Sequence, residues 1–588
     1  MKQKIEQVNY SQVPKEGEPN PELLATPAGK LRITEADVVK ATAILKKYKD
    51  AKTNLELRLI EDERWYQLQH QELVRRKQPN VDANGNAIEQ LNPTSAWLFN
   101  TLANKHADAM DNYPEPVVLP REQSDEENAR LLSQILPVIQ ERNDYEQTYS
   151  DNMWEKLKHG TAAYGVFWNK ELDNGLGDID IKRVDLLNIF WQPGIEDIQK
   201  TRNLFFVDIV DDDILAQDYP QQTRGGKIGN VIELSKYVYD DTVDTSDKTI
   251  VVDWYYKRRN SAGKTILHYA KFAGTKLLYA SENDPELADS GWYDHGMFPV
   301  VFDTLWREKG TPTGFGYIAI CKDPQLYIDR LGGCFLENAI VGSKPRYYIS
   351  EDCGLNEDEF KDVRNSLVHV SGPINENKLH PIDTPQLSGN YLSFYQTKID
   401  ELKETSSNRD FSSGGTTSGV TAAAAIAALQ EAGNKQSRDN NMSSYRADSK
   451  IAIQVIELMR QCYDEERCFR ITGQSSEGGG YQYVNYSNAG IRDQTVANPA
   501  GGEPLIRRPI FDIRIKAQKR NPYNQLAQNE QAKELYRLGA FSPEQAQPAL
   551  LMLEMMQFEG IEKVREQVQQ GDTLMKLLTQ AIEQRDKL

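Results

Sequence analysis

Cysteine is scarce in this chain of 588 residues: Cys321, Cys334, Cys353, Cys462 and Cys468 are the five, and none forms C-x-x-C with another. An odd number without close pairs excludes a disulfide framework and a thiolate zinc site, so free thiols are expected. Long apolar runs are missing as well. Nothing reaches the roughly 18 apolar residues that span a bilayer, and no membrane partner is expected. The stretch MKQKIEQVNYSQVPKEGEPNPELL lacks the apolar segment of a signal peptide, which makes an intracellular origin the expectation. Basic charge is in deficit, with 69 Lys and Arg against 87 Asp and Glu, a formal net charge of −18. That sign excludes a protein that grips nucleic acid by neutralising phosphates, though not a surface past which DNA slides.

Catalytic motifs are missing too. SAGKT, residues 261–265, has the last letters of a phosphate-binding loop, but Arg258 stands where the first glycine of G-x-x-x-x-G-K-[ST] belongs. It lies between two strand-like runs and reads as a hairpin turn. RGGK, residues 224–227, fails in the same way. DSGWYDHG, residues 289–296, brings Ser290, Asp294 and His295 close in sequence, but no G-x-S-x-G turn is present, and a structural turn is the better reading. His70, His106, His159, His268, His369 and His380 include no H-E-x-x-H pair, so no metal ligation is expected. The pairs Asp211-Asp212 and Asp240-Asp241 read as solvated loop charge. No catalytic residue, metal or cofactor is expected.

What remains is an ordinary globular composition, 39% hydrophobic and 27% charged, in a chain long enough for several domains. Residues 1–33 are polar, rich in Pro and Glu, and read as a flexible tail. A helix is expected after Thr34, a second over 94–113 stopped by Pro114, and a third over 125–159 ending at Gly160. From Tyr164 the period changes to two. YGVFWN, GDIDIKRVD, NLFFVDIV, TIVVDWYYKRR, TILHYAKF and KLLYAS read as antiparallel strands.

Helix returns over 316–343, where Pro324 and Gly332-Gly333 are expected to kink or weaken it. A small unit follows, strand, helix from near Asn356, then strand. The helix over 390–406 carries Tyr391, Tyr395, Ile399 and Leu402 as one apolar stripe. Then SSGGTTSGVTAAAAIAALQEAG runs from a Ser, Gly and Thr loop into an alanine-rich helix. The loop has no Lys and follows no strand, so it reads as a mobile connector, not a phosphate cradle. Its helix is expected to continue through Ile451, Val455, Leu458 and Cys462, bending at Gly433 and Asn440-Asn441. Three strands, RCFRITG, YQYVNYS and IFDIRIKAQ, precede an all-helical end over 521–588. The expected class is α+β and multidomain.

The order of these elements, with the phrases NPTSAWLFNTLANKHADAMDNYPEPVVLPRE, KLKHGTAAYGVFWN, VDLLNIFWQPGIEDI, HGMFPVVFDTLWREKGTPTGFGYIAICKDPQLYID, KPRYYI, SGVTAAAAIAALQEAG and NEQAKELYRLGAF, resembles the portal proteins of tailed bacteriophages. The resemblance implies a homo-oligomeric ring, usually of twelve copies, at one capsid vertex, assembled in the host cytoplasm and carried in the virion. Double-stranded DNA is packaged and ejected through its channel without sequence specificity. The implied partners are the large subunit of the terminase motor, the major capsid and scaffold proteins, and a head-tail adaptor. A ring-forming capsid or adaptor protein, or a head-maturation hydrolase, is the alternative.

By the same resemblance, residues 34–315 and 421–515 form a wing, and 316–344 and 389–406 are stem helices. Residues 345–388 form a clip, 407–420 a tunnel loop, and 516–588 a crown. DNA-facing residues would be Arg409, Asp410, Phe411, Ser412, Gly414, Gly415 and Thr416. Arg346, Asp352, Lys361 and Asp362 would meet the motor or adaptor.

Overall fold

The computed structural model describes residues 32–74, 93–221, 228–230, 232–235, 237, 247–260, 263–343, 346–350, 354–362, 366–372, 379–382, 389–407, 435–471, 482–496 and 505–519. The chain divides into two units, residues 1–108 with 116–515, and 109–115 with 516–588. The first holds nearly all the described residues.

Helix α1 (Glu35–Tyr66) starts where expected, because the Asp37 carboxylate accepts from both the N–H (3.1 Å) and the hydroxyl (3.0 Å) of Thr34. α2 (Gln71–Val74) and α3 (Trp97–Met110) follow. α3 ends short of Pro114, which instead lies in the strand β1 (Asn112–Pro120). Among the described residues β1 pairs with β18 (Phe511–Lys519) alone, and a two-stranded sheet leaves an outer edge on which proline's missing N–H costs no ladder bond. The expected helix over 125–159 is two, α4 (Glu126–Arg142) and α5 (Tyr145–His159), divided at Asp144, whose φ is +45°. Gly160 ends α5 with φ +82°. A Cβ there would lie 2.1 Å from the Phe315 carbonyl carbon, so both conformation and close approach require glycine.

All the strand-like runs from Tyr164 are strands. β2 (Thr161–Asn169) and β3 (Asp178–Val184) join β9 (Val300–Thr304) in a sheet of order β3-β2-β9. β4 (Ile189–Trp191) and β5 (Asn203–Asp211) lead through α6 (Asp212–Asp218) to β6 (Lys248–Arg259), β7 (Thr265–Ala273) and β8 (Lys276–Ala280). These form an antiparallel meander, β4-β5-β6-β7-β8, with no closure into a barrel. Its inner face buries Phe190, Phe205, Trp254 and Phe272 against Val38, Ala41 and Leu45 of α1. Further along α1, the Lys52 ammonium donates to the carbonyls of Leu186, Leu187 (3.3 Å) and Ile189 (2.7 Å), and burial takes its pKa down to about 7. Gly263 and Lys264 of the SAGKT stretch lie between the paired strands β6 and β7, where Asn260 N–H donates to the Lys264 carbonyl at 2.9 Å.

A short pair, β10 (Trp306–Arg307) and β11 (Gly314–Phe315), precedes α7 (Tyr317–Ser343). α7 is one helix through Pro324 and the glycine pair. At Gly333 a Cβ would stand 2.9 Å from Pro93, so that glycine admits a neighbour and does not end the helix. β12 (Arg346–Ile349), α8 (Glu357–Lys361) and β13 (Leu379–Ile382) form the small unit, and α9 (Gly389–Thr405) returns antiparallel beside α7. Ile328, Ile399 and Leu402 make the core of this pair, with Phe335 edge-on to Tyr395 at 5.7 Å. α10 (Lys435–Cys462) is followed by two hairpins, β14 (Arg467–Ile471) with β15 (Gln482–Tyr486), and β16 (Gln494–Val496) with β17 (Leu505–Arg507). The helix and strand content is that of an α+β fold.

Candidate functional site

The small unit between α7 and α9 is built by local chemistry. Asn356 caps α8, with its side chain accepting from the Glu359 N–H. β12 and β13 pair antiparallel, Arg346 opposite Ile382 and Ile349 opposite Leu379. Tyr347 meets Phe360 edge-on at 5.2 Å, tying strand to helix. The N–H and ring Nδ1 of His369 both lie 2.8 Å from a Glu359 oxygen, and these hydrogen bonds hold that carboxyl below the usual range. Arg346, Lys361 and Asp362 are all exposed here. Lys361 pairs with Glu357 at 3.3 Å, one helical turn away, and Asp362 terminates α8. Asp352 lies outside the described residues.

α10 meets the body through two kinds of surface. Its C-terminal half buries Ile451, Val455, Ile456, Leu458 and Met459. At the same three- and four-residue spacing upstream it buries Ser437, Asn440, Asn441, Ser444 and Asp448. Lys105 of α3 donates to Ser437 Oγ at 3.1 Å. Lys156 of α5 donates to the Asn440 carbonyl (3.1 Å) and to Ser444 Oγ (2.7 Å), and pairs with Asp303 of β9 at 2.8 Å. Ser444 Oγ donates in turn to the other Asp303 oxygen at 2.8 Å. Tyr145 donates its hydroxyl to Asp448, whose second oxygen has no partner among the described residues. Lys156 thus pairs with Asp303 and only favours the charge of Asp448 from a distance. Burial pushes Asp448 up to about 7, with Asp303 adding to the rise.

The helix is unbroken across Asn440 and Asn441, both of which are buried in this seat. Gly433 and residues 409–416, with Arg409, Asp410, Phe411, Ser412, Gly414, Gly415 and Thr416, lie outside the described residues. The seat is a feature that the sequence reading misses. Its signal is the polar continuation of the Ile451, Val455 and Leu458 stripe, but nothing local names Lys105, Lys156 or Asp303 as its partners.

The residues that resemble catalytic groups have other partners. Ser290 Oγ donates to the Glu286 carbonyl at 3.1 Å, and His295 Nδ1 accepts from the Met297 N–H at 3.0 Å. Burial, with Arg508 and Lys257 nearby, takes His295 down to about 3. Asp294 faces Arg508 at 3.4 Å. His159 is buried among Asp62, Glu63 and Glu155; burial opposes its charge, but its hydrogen bond to Asp62 and the neighbouring Glu63 and Glu155 carboxylates prevail and raise it to about 9. Its imidazolium closes a structural ion cluster. Among the described residues no group of three or more His, Cys, Asp or Glu is arranged to hold a metal, and no helix is long and apolar enough to cross a membrane.

An α+β body, a helix pair carrying a small hairpin unit and a long helix on a polar seat make up a scaffold that holds elements in place. The family model for phage P22-like portal proteins matches residues 98–308 and 351–587, most of the chain. The chain belongs to that family, whose members are structural and stand at the phage capsid vertex as an oligomeric ring. No individually curated protein matches it.

Proposed function

We propose that this chain assembles as a closed ring, of about twelve copies as its family resemblance implies, through which double-stranded DNA is packaged and later ejected. The observation that carries the assembly is the far half of the α7-α9 pair. Leu336, Ile340 and Val341 on α7 and Tyr391, Leu392 and Phe394 on α9 are exposed in a single copy, in contrast to Ile328, Ile399 and Leu402 nearer the body. Exposed apolar side chains gathered on one helix pair favour an interaction face, and a ring supplies neighbours for every copy. The purified chain should sediment as a closed oligomer and show a central hole in negative stain. Monomers alone at high protein concentration and moderate salt would overturn the reading.

In this ring α7 and α9 are the stem, 345–388 the clip, 407–420 the tunnel loop and 516–588 the crown. Arg346, Asp352, Lys361 and Asp362 meet the terminase motor and then the head-tail adaptor. The exposure of Arg346, Lys361 and Asp362 in the β12-α8-β13 unit supports a contact role, since rim charges tune partner encounter more than fold. Charge reversal at Lys361 and Asp362 should leave rings intact and reduce DNA packaging. For the tunnel loop, conformational freedom matters and base chemistry does not, because the channel passes every sequence. The double variant Gly414→Ala/Gly415→Ala should assemble but package or retain less DNA, measured as the length held in filled heads. Heads that fill and hold like the parent would remove the loop assignment.

A further inference from the structure

We infer that the cleft between β9 and α10 is an acceptor site for an extended, apolar-anchored segment of a neighbouring copy of this chain. β9 is an outer strand of its sheet. Leu305 N–H donates to the Gly160 carbonyl at 2.8 Å and Val166 N–H to the Pro299 carbonyl at 3.1 Å. In the antiparallel alternation these bonds turn the backbone groups of Val300, Phe302 and Thr304 away from β2. The Val300 carbonyl accepts from the Gln199 side chain at 2.9 Å and the Thr304 carbonyl from Ser443 at 2.7 Å. The N–H and carbonyl of Phe302 meet no partner among the described residues.

Beside that edge the cleft encloses about 260 Å³, with Met297, Phe302 and Ile453 among its apolar walls. Gln454 also lines it at 3% exposure. Its Nε2 donates to the Phe298 carbonyl at 2.9 Å, while its Oε1 has no donor among the described residues. The open backbone position at Phe302 and a buried acceptor with no donor among the described residues are the two halves of a site for an added extended segment: backbone N–H groups satisfy the acceptors, and one apolar side chain fills the volume.

The charges around the cleft favour a second copy as occupant. Glu196 and Asp197 stand with Arg307 and Lys450, a locally neutral rim on a chain of net charge −18, so two acidic chains can approach here without like-charge repulsion. Glu196, Arg307 and Lys450 form no ion pair among the described residues. Each copy also presents an apolar strand side chain with nothing over it, Ile506 of β17 at 77% exposure. A head-to-tail contact between such a knob and this cleft repeats around a ring.

The proposal rests on the ring reading and is tested in purified rings. Benzoylphenylalanine in place of Ile453, photolysed in the ring, should give a ladder of covalent oligomers on a denaturing gel, with the crosslinked peptide drawn from an exposed strand of the next copy. Ile453→Glu should raise the protein concentration for half-assembly at least ten-fold while leaving the thermal unfolding of the dissociated chain unchanged. A parent protein that forms no ring overturns the ring reading and this site with it. Rings that form but give no crosslink between copies, or an Ile453→Glu variant that assembles like the parent, overturn this site alone.

Discussion

α1 and α9 are both amphipathic, yet they reach different ends. On α1, Val38, Ala41 and Leu45 lie beneath Phe205, Trp254 and Phe272 of the five-stranded sheet, and the chain covers its own apolar face. On α9 the stripe Tyr391, Tyr395, Ile399 and Leu402 is covered only at its lower end; Ile399 and Leu402 are buried, whereas Tyr391 is 52% exposed and its neighbour Leu392 62%. A helical period therefore states that a face will be covered and leaves open by what. The first face stabilises the monomer. The second is left exposed in a single chain, and the ring reading has another copy cover it.

The contrast can be broken most forcefully at the sheet. Trp254→Ala removes a fully buried ring from the α1 interface and should cost about 3–5 kcal/mol, read as a fall in the denaturant midpoint of the dissociated chain. A loss below about 1 kcal/mol would show that this face does not carry the body's stability.

The polar seat of α10 sharpens the comparison, because there both partners are covered but hydrophilic. Asp448 is raised in the folded protein from an ordinary 3.8 to about 7, so the stability it contributes is complete below about pH 4 and is lost as pH rises through 7. Asp448→Asn should remove that loss. The variant should gain on the parent between pH 4 and 8, by a few kcal/mol at the upper end, since each pH unit between the unfolded and folded values is worth roughly 1.4 kcal/mol. A variant-to-parent difference that stays flat across this range would mean the carboxyl is not held neutral in the seat.

The smallest effect on stability, and the most telling for assembly, belongs to α9. Leu392→Ser with Phe394→Ser should leave unfolding of the single chain within about 0.5 kcal/mol, as exposed positions usually do. The same pair should abolish or strongly weaken the ring in sedimentation. Rings of unchanged mass would place the covering surface elsewhere.

Much of the fold is legible in the sequence because its signals are local. Thr34 and Asp37, Gly160, and Asn356 mark helix ends through bonds or dihedrals within a few residues, and the alternation in TIVVDWYYKRR and TILHYAKF declares two strands before their partners are known. Local reading fails where a distant element intervenes. Pro114 has the form of a helix stop, but a two-stranded sheet accepts it. Asn440-Asn441 is a polar pair, but Lys156 and its neighbours hold that turn of α10 in the interior. The candidate site divides in the same way: the exposed charges of the β12-α8-β13 unit can be named from the chain, while the buried seat cannot.

By itself the sequence determined the alternation of helix and strand, the helix caps, the absence of readable catalytic motifs and the order of elements that points to the family. Only the tertiary structure decided that Lys156, Asp303, Ser444 and Asp448 are buried around one seat, and that Phe302 and Gln454 line one cleft. The reason is the range of the forces. Hydrogen-bonded caps and side-chain periods act over one or two helical turns, whereas desolvation and ion pairing depend on which groups meet within about 4 Å, and Lys156 and Ser444 meet across 288 residues of chain.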